Sequence, residues 1–508
     1  MTSRPSWVRW VTGNSPRRLA PPRRHLHATV TSDVRAVVVG GGIAGVSAAL
    51  ALAERGASVT LIERENRLGG RLAAWPRRMA DGSTHMVDHG FHGFFRQYYN
   101  WRNVLRRIDP QLAFLRPLGR YPVVSRRWPE ENFSGLPGIP PINLLALVAR
   151  SPSLRLRELR GVDGAAALPL LSYSGEATYR TYDSMSAAEF LDALGMPDRA
   201  RAMLFDVFAH SFFNHEDQMS AAEMIMQFHF YFLRNPEGLD LDAPDEDYET
   251  AIWRPLAERL EALGVDIRTG SAVDRLEPGW TAMLTGGGRV CADHVVLATD
   301  PAAARGIVLA SSELAERAPT LVAQASTVRT TAPYCVSRFW LKGDVAAHRT
   351  AFTGVSREAT LDSVSLYHRI EREPARWAQQ TGGSVLELHA YAAPTGIDAV
   401  TLGDRMRAEL AVLWPETAAL SIVDRDDRLG YDAPAFDVDS ASTRPGVVTD
   451  VAGLFLAGDW VRLPIPSALM ERAATSGLLA ANAILERHAV APHAAFSVPP
   501  RGLLARRG

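Results

Sequence analysis

Residues 34–45 read VRAVVVGGGIAG, and this stretch decides the fold class. The apolar run Val34–Val39 ends in glycines, as a buried parallel strand does. Alanine-rich helical spacing follows over Ile43–Arg55, and Gly56 closes that helix. Ser58–Ile62 predicts a second buried strand, so the chain opens with a βαβ unit and a parallel sheet covered by helices is expected.

Three glycines at the junction of strand and helix, Gly40, Gly42 and Gly45, form the pattern G-x-G-x-x-G. The first permits a tight turn, the second lets backbone approach a pyrophosphate, and the third lets helix and strand pack closely. Glu63 ends the second strand, 18 residues after Gly45, where a carboxylate can accept hydrogen bonds from ribose hydroxyls. The pattern predicts a dinucleotide site without a 2′-phosphate. The alternative is a glycine-rich turn in an unrelated α/β protein.

A second glycine pair lies in ERENRLGGRL, residues 63–72, and is followed by Arg71. It resembles the extended dinucleotide motif of the FAD-dependent amine oxidase and carotenoid desaturase superfamily, whose arginine lies near the flavin. The other half of that signature resembles GLFLAGDW, residues 453–460. In the superfamily this aspartate, here Asp459, contacts the pyrophosphate–ribityl part of the cofactor, and the next helix points its N-terminus at the isoalloxazine. The resemblance implies FAD, and since no Cys or His near the two signatures has a flavinylation context, we expect it to be bound non-covalently.

The resemblance also implies which residues contact FAD: Gly40, Gly42, Ile43, Ala44, Gly45, Glu63, Arg64, Gly69, Gly70, Arg71, Leu72, Val273, Gly458, Asp459, Pro466 and Met470.

Short buried strands recur at Gly264–Arg268, His294–Thr299 and Gly453–Ala457, and a helix is predicted over Ala468–Glu486. We therefore expect an α/β fold with a Rossmann-like FAD-binding domain, assembled from separated segments, and an inserted α+β substrate domain. The expected segments are a disordered basic tail (1–32), the FAD-binding domain (33–115, 250–310 and 445–487), the substrate domain (116–249 and 311–444) and a C-terminal tail (488–508).

Composition excludes several classes of protein. The formal net charge of −1 gives no support for a nucleic-acid partner. Two cysteines cannot form a disulfide framework, and no histidine or cysteine spacing predicts a metal site. No apolar run reaches the roughly 18–20 residues that span a bilayer. Residues 1–32 are arginine-rich, lack acids and have no apolar core, so a cytoplasmic protein is expected; a targeting peptide or lipid tether is the alternative reading of that tail.

Three further stretches resemble the carotenoid ring-aromatising desaturases of the isorenieratene (φ-ring) synthase type: VDHGFHGFFRQYYN at 87–100, Met224–Gly238, and PSALMERAATSGLLAAN at 466–482. That family implies conversion of the β-ionone rings of β-carotene into trimethylphenyl rings, with two two-electron oxidations per ring and a methyl shift from C1 to C2. The single lysine, Lys342, falls past the middle of a predicted strand Tyr334–Lys342. Amine oxidases usually hold a lysine near flavin N5, so amine oxidation is disfavoured.

Such a reaction needs an apolar slot, a group that stabilises a cation, and a base. The candidate catalytic residues are Asp88, His89, His92, Glu223, His229 and Glu471. A hydrogen-bonded structural role is the alternative for each. An aromatic cluster either forms core or lines a polyene tunnel; its members are Phe205, Phe208, Phe212, Phe213, Phe228, Phe230, Tyr231 and Phe232.

Rival functions remain open from the sequence. They are a desaturase or oxidase of another isoprenoid (an acyclic carotene or a hydroxysqualene), a non-redox flavin carotenoid isomerase, and a flavin-binding protein without turnover. The electron acceptor (oxygen, a quinone or another carrier) is equally open. Because a carotenoid resides in the membrane, we expect peripheral attachment to the inner face of the cell membrane, with Leu136–Val148 as the inserting segment.

Overall fold

The computed structural model describes residues 16–19, 26–137, 142–154, 159–235 and 237–505. A five-stranded parallel sheet lies at its centre. Its strands, in spatial order, are Asp266–Arg268, Ser58–Ile62, Arg35–Val39, His294–Leu297 and Leu454–Leu456. These strands come from the three segments expected for a cofactor domain, and the predicted α/β fold is confirmed.

The first helix, Ile43–Ala53, is buried along its whole length and packs on the last helix, Leu469–Arg487. Gly477 makes the close crossing possible. A Cβ at this position would lie 2.9 Å from the carbonyl carbon of Ala44 and would overlap its oxygen. The two ends of the chain therefore meet in one layer over the parallel sheet.

A seven-stranded sheet forms the second large layer. Its strands, in spatial order, are Ser421–Gly430, Tyr334–Lys342, Ser384–Ala390, Ser363–Leu366, Phe352–Val355, Pro122–Val124 and Glu131–Asn132. Neighbours are antiparallel except for Phe352–Val355 and Pro122–Val124. The strand Tyr334–Lys342 has the predicted bounds, and Lys342 is its exposed last residue.

The remaining strands of the described residues form small antiparallel sheets: Arg17–Arg18 with Phe496–Ser497; Ala74–Arg78 with Thr84–Asp88; Phe94–Phe95, Leu241–Pro244 and Leu115–Pro117; and Val273–Glu277, Thr281–Leu284 and Arg289–Cys291.

The other α-helices of the described residues connect strands along the chain. They are Tyr99–Leu105, Ile142–Arg150, Leu168–Leu171, Glu176–Tyr182, Ala187–Ala193, Asp198–Ala200, Val207–Ser211, Ala221–Phe228, Arg254–Ala262, Pro301–Ala310, Ser312–Arg317, Pro319–Thr327, Arg372–Thr381 and Ala399–Leu413. Short 3₁₀ helices are Gly70–Leu72, Leu159–Gly161, Tyr367–Arg369 and Pro415–Ala419, and π-helical turns are Arg201–Asp206, His229–Leu233 and Glu249–Trp253. No helix among these residues is long and apolar enough to cross a bilayer.

Both ends of the chain differ from the expected loose tails where the structure describes them. Arg17–Arg18 pairs with Phe496–Ser497, and Val490 and Val498 are fully buried. The expectation of a free tail is wrong for 488–505, because Val490, Ala495 and Val498 are buried in the main hydrophobic core. Residues 1–15, 20–25 and 506–508 lie outside the described residues.

Candidate functional site

A cavity of about 780 Å³ lies between the parallel sheet and the seven-stranded sheet. One end is lined by the glycine motif and its neighbours, and the other by aromatic and aliphatic side chains. The two ends belong to one continuous space. A dinucleotide bound at the first end would therefore adjoin any molecule held at the second.

The geometry of the first glycine motif suits a pyrophosphate. Gly40 has φ +109°, and a Cβ there would lie 2.5 Å from the carbonyl oxygen of Ala298. A Cβ on Gly45 would lie 3.0 Å from the carbonyl carbon of Gly40 and overlap its oxygen. Glycine is thus required for the turn and for the close approach of helix to turn.

Glu63 holds this turn in place. One carboxylate oxygen accepts the N–H of Gly41 (2.6 Å) and the other accepts the N–H of Glu65 (2.8 Å). Each oxygen keeps a second lone pair for a ligand hydroxyl. The buried carboxylate therefore both fixes the loop and faces the cavity, as a ribose site requires.

The second glycine pair lies against the first. The N–H of Gly69 donates to the carbonyl of Gly41 (2.9 Å), and Gly69 itself has φ +123°. Arg71 follows, and its Nη2 lies 2.7 Å from Oδ1 of Asp459. Burial alone would lower the pKa of Arg71, but the Asp459 and Asp432 carboxylates outweigh it and hold the pKa well above its usual value.

The last helix presents its N-terminus to the same cavity, where Leu469 and Met470 form part of the wall. Its N-cap residue, Ala468, offers no side-chain acceptor to the first-turn N–H groups. Those groups and the helix dipole favour negative charge. With Arg71 and the glycine turns, they suit a phosphate-bearing, reducible cofactor, so the residues present fit FAD.

The predicted cofactor contacts line the cavity with two exceptions, Gly45 and Pro466. Gly45 lies behind the wall, where its lack of a side chain lets the first helix approach the Gly40 backbone closely. Pro466 is buried in the turn before the last helix.

Two of the six catalytic candidates, His89 and His92, line the cavity. His89 Nε2 lies 3.3 Å from the Tyr334 hydroxyl, which donates to Asp432 (2.8 Å). The ring of His92 contacts the carbonyl of Gly90 through Nδ1 (2.8 Å). Burial lowers the pKa of His89 to about 3 and that of His92 to about 4, so both are neutral at physiological pH.

Asp88 lies behind the cavity wall rather than in it. Its Oδ1 accepts the N–H of Tyr248 (3.1 Å), and the buried Glu371 and fully buried Arg338 are among the charged groups that act on it. Burial raises the pKa of Asp88 to about 6 and, together with Asp88, raises that of Glu371 well above its usual range. The Glu371 carboxyl therefore keeps its proton in the folded protein at pH values where an exposed carboxyl is ionised.

We expect Glu371→Gln to change how stability depends on pH. An unfolded Glu carboxyl titrates near about 4.3, so the folded state binds the extra proton above that pH. The wild type's free energy of unfolding then falls as the pH rises from about 4.5 towards 9. Glutamine keeps a hydrogen-bond donor without titrating, so the variant should be more stable than the wild type by roughly 1–3 kcal/mol at pH 9 and nearly equal at pH 5. Urea unfolding across this range is the measurement, and equal pH dependence of the free energy of unfolding in both proteins would contradict the proton retained on Glu371.

Glu223, His229 and Glu471 lie away from the cavity, so the structure does not support a catalytic role for them. Glu223 is the buried centre of an ion-pair cluster with Arg472 (2.5 Å) and Arg444 (3.5 Å). The contacts of all three are structural, since a buried polar side chain requires hydrogen-bond or ion-pair partners.

His229 bonds a backbone group, and Glu471 bonds two backbone N–H groups and the side-chain amide of Asn100. His229 Nε2 lies 2.8 Å from the carbonyl of Pro499. Glu471 accepts the N–H groups of Asn100 (2.9 Å) and Trp101 (3.0 Å). Burial raises the pKa of Glu471 to about 8 although these donors lower it.

The aromatic cluster divides between the two predicted roles. Phe212, Phe213 and Tyr231 line the cavity, whereas the ring pairs of Phe205 with Phe228 and of Phe228 with Phe232 are stacked in core. The side chain of Phe208 is outside the described residues. Phe91 and Phe352 add a stacked pair to the cavity wall, with centroids 4.7 Å apart.

Several polar wall residues were missed from the sequence: Tyr334, Asp362, Ser363, His389, Tyr391 and Asp432. They lie on or next to strands of the seven-stranded sheet. The one available signal was strand alternation, since Glu387 and His389 are two residues apart and so share a face. That signal does not say which face meets the cavity.

Comparison with known proteins adds independent findings. Residues 43–485 match the family model described as flavin containing amine oxidoreductase. A carotenoid phi-ring synthase from Streptomyces griseus is 43% identical over 94% of this chain and 92% of the relative. A carotenoid phi-ring synthase from Chlorobaculum tepidum is 27% identical over the same shares, and a zeta-carotene desaturase from Synechocystis is 23% identical over 90% of this chain and 98% of the relative.

Solved structures share the fold. Putrescine oxidase bound to putrescine superposes with a TM-score of 0.63 at 16% identity, over 90% of this chain and 100% of that one. A putative protoporphyrinogen oxidase from Exiguobacterium gives 0.61 at 18% identity, over 90% and 99%.

Proposed function

The chain belongs to the flavin-containing amine oxidoreductase family, in its carotenoid φ-ring synthase branch, and from that membership we propose that it aromatises the β-ionone rings of β-carotene with a 1,2-methyl shift. It is an FAD-dependent oxidoreductase of carotenoid biosynthesis. The proposal adds the substrate, a cyclic carotene end group, and the product, a φ-ring.

The observation that carries the proposal is the continuity of the cavity from the cofactor motif to an aromatic-walled end. Phe91, Phe213 and Phe352 supply ring faces in that wall, and Leu241 and Val123 supply aliphatic surface. A carotenoid ring is apolar and bulky, and burying it against such a wall is favourable at about 25 cal/mol per Å². Lys342 is exposed and does not line the cavity, so it cannot play the part of the lysine that amine oxidases hold near the flavin.

Bound FAD supplies the two-electron acceptor for substrate hydride. The residues of the chain supply the rest. Aromatic rings of the wall stabilise positive charge that develops on a substrate ring packed over their faces. The buried, neutral His89 and His92 add no opposing charge, and the apolar surroundings exclude water that would trap a cation.

Expression in a bacterium that accumulates β-carotene tests the proposal. We expect carotenoids with aromatic end groups, each converted ring lighter by four hydrogens, on chromatography and mass spectrometry. An unchanged mass with altered double-bond geometry would indicate an isomerase. Unchanged β-carotene with FAD bound would overturn ring aromatisation and favour an acyclic carotene or a hydroxysqualene as substrate.

A lipophilic substrate also requires access from a membrane, and we propose peripheral attachment to the inner face of the cell membrane through the segment Leu136–Val148. Residues 138–141 of that segment lie outside the described residues. In the helix that follows, Ile142–Arg150, Ile142 is 50% exposed and Leu145 66% exposed. Exposed apolar side chains beside an arginine at the helix end, Arg150, suit an interfacial helix.

We expect the double variant Ile142→Asp/Leu145→Asp to lose binding to anionic phospholipid vesicles by more than tenfold in flotation. Burial of one such side chain contributes about 1.5–3 kcal/mol, and the added charges oppose insertion. Val412→Asp is the matched control, because Val412 is 56% exposed on a different helix. Equal flotation of the double variant and the control would refute this attachment site.

A further inference from the structure

A second buried polar cluster reaches the cavity wall from the seven-stranded sheet. Glu387 and His389 lie on the same face of strand Ser384–Ala390, and Tyr391 follows the strand. His389 Nε2 lies 2.7 Å from Oε1 of Glu387, and its Nδ1 lies 3.1 Å from the Tyr391 hydroxyl. His389 and Tyr391 line the cavity, whereas Glu387 does not.

Glu387 is held as a carboxylate. Both Nε (2.9 Å) and Nη2 (2.7 Å) of the fully buried Arg338 bind its Oε2. Burial alone would raise the pKa of Glu387, but Arg338 and His389 outweigh it and lower the pKa well below its usual range. An ionised Glu387 fixes the proton of His389 on Nε2, so Nδ1 is left as the acceptor facing Tyr391.

Tyr391 lines the cavity beside that acceptor. Burial raises the pKa of Tyr391 above its usual value, so its hydroxyl stays protonated and can donate to His389 Nδ1. Gly90 lies directly beside His389: a Cβ on Gly90 would be 3.4 Å from Cε1 of the imidazole. The motif that contributes His89 and His92 thus also makes room for this imidazole.

Ring contacts connect this group to the cofactor end of the cavity. Tyr391 meets Phe213 edge to face with centroids 5.1 Å apart, and Phe213 meets Tyr334 at 5.0 Å. Tyr334 bonds Asp432, whose charge acts on Arg71. A substrate ring that packs on Phe213 therefore lies between the cofactor end and Tyr391.

We propose that Tyr391 and His389 are the proton acceptor of ring oxidation, oriented by Glu387; this inference rests on the proposed function. A ring C–H bond breaks and its electron pair becomes the new ring C=C bond, which neutralises the cation left by hydride loss. The proton passes to the Tyr391 oxygen as the Tyr391 proton moves to His389 Nδ1. The imidazolium formed is stabilised by the Glu387 carboxylate. Each ring delivers two protons to this group, one for each two-electron oxidation, and His389 releases the first to solvent before the second arrives.

The test uses the purified, FAD-loaded protein and β-carotene in detergent micelles, with a soluble quinone added to reoxidise the flavin between the two oxidations of each ring. We expect His389→Ala and Tyr391→Phe each to lower the rate of aromatic product formation by roughly 10²–10⁴-fold, the contribution typical of a general base, with FAD content unchanged. Added imidazole should restore the rate of His389→Ala, whereas pyrazole, a ring of equal size and far weaker basicity, should not. Rescue by both compounds would mean that His389 only fills space, and would overturn the proposal.

Glu387 contacts no part of the cavity and is a positioning residue. Glu387→Gln should lower kcat by about 10²-fold with KM unchanged, because the interaction it supports is made only as the proton moves. Imidazole should not restore this variant. A raised KM with normal kcat would contradict the positioning role.

Ser365→Ala is the matched control, because Ser365 is paired with Glu387 across the sheet and its buried Oγ has no hydrogen-bond partner within the described residues. If His389→Ala does not fold, Tyr391→Phe decides alone. Retention of aromatisation within tenfold of wild type in Tyr391→Phe would overturn the proton acceptor and leave the proposed function intact. A wild type that forms no aromatic rings would remove the proposed function, and this inference with it.

Discussion

Replacing Gly45 by alanine will leave a folded protein that has lost most of its affinity for FAD. The added Cβ would overlap the carbonyl oxygen of Gly40, so the first helix and the glycine turn must move apart. The neighbour is backbone rather than a flexible side chain, so we expect a cost near the upper end for overpacking, about 3 kcal/mol. That cost corresponds to roughly 150-fold in the dissociation constant of FAD.

The flavin absorbance of the purified variant and titration of the apoprotein with FAD measure the effect. Alanine in a helix interior is intrinsically favoured over glycine by about 1 kcal/mol, so weaker binding could not be ascribed to helix propensity. Gly164→Ala is the control, since a Cβ there meets open space. Stoichiometric FAD in Gly45→Ala with wild-type affinity would contradict the requirement for glycine.

Arg338→Met will cause a loss of about 3–5 kcal/mol in the free energy of unfolding, the cost typical of removing one partner from a buried ion pair. Arg338 is fully buried and bonds Glu387, and its guanidinium lies 3.6 Å from the Tyr367 ring centroid. Without it, Glu387, Asp88 and Glu371 would lose the one cation that lowers the pKa of all three carboxyls among the described residues.

Denaturant unfolding, with FAD content followed in parallel, checks this expectation. Arg317→Met provides the comparison, because the Arg317–Glu313 pair is exposed and contributes at most about 1 kcal/mol. The double variant Arg338→Met/Glu387→Gln should recover part of the loss, since it no longer buries an unpaired carboxylate. Equal losses for Arg338→Met and Arg317→Met would refute the central role of this ion pair.

The sequence predicted the cofactor end of the site far better than the substrate end. Gly40, Gly42 and Glu63 follow one another along a single βαβ unit, so their spacing alone fixes their geometry. His389 and Asp432 reach the cavity only through the pairing of distant strands. Which face of each strand meets the cavity depends on a register that local spacing does not encode.

The same limit explains the errors among the catalytic candidates. Glu223 and Glu471 are acids within apolar stretches, a pattern shared by catalytic acids and by buried structural acids. The difference lies in their partners, Arg472 for Glu223 and the Asn100 backbone for Glu471. Those partners are remote in sequence, so no inspection of the surrounding residues could reveal them.

The contact between the first and last helices has a consequence for biosynthesis. Arg71 and Asp459, which meet at the cofactor end, are 388 residues apart. Gly477 allows the last helix to pack closely on the first. While the ribosome is still making the middle of the chain, the first βαβ unit has no partner helix and only part of its sheet. FAD can therefore be captured only after translation is nearly finished, and a nascent chain stalled before residue 469 should carry no flavin. FAD would then bind the completed polypeptide as a late step of folding, and its binding would stabilise the native state.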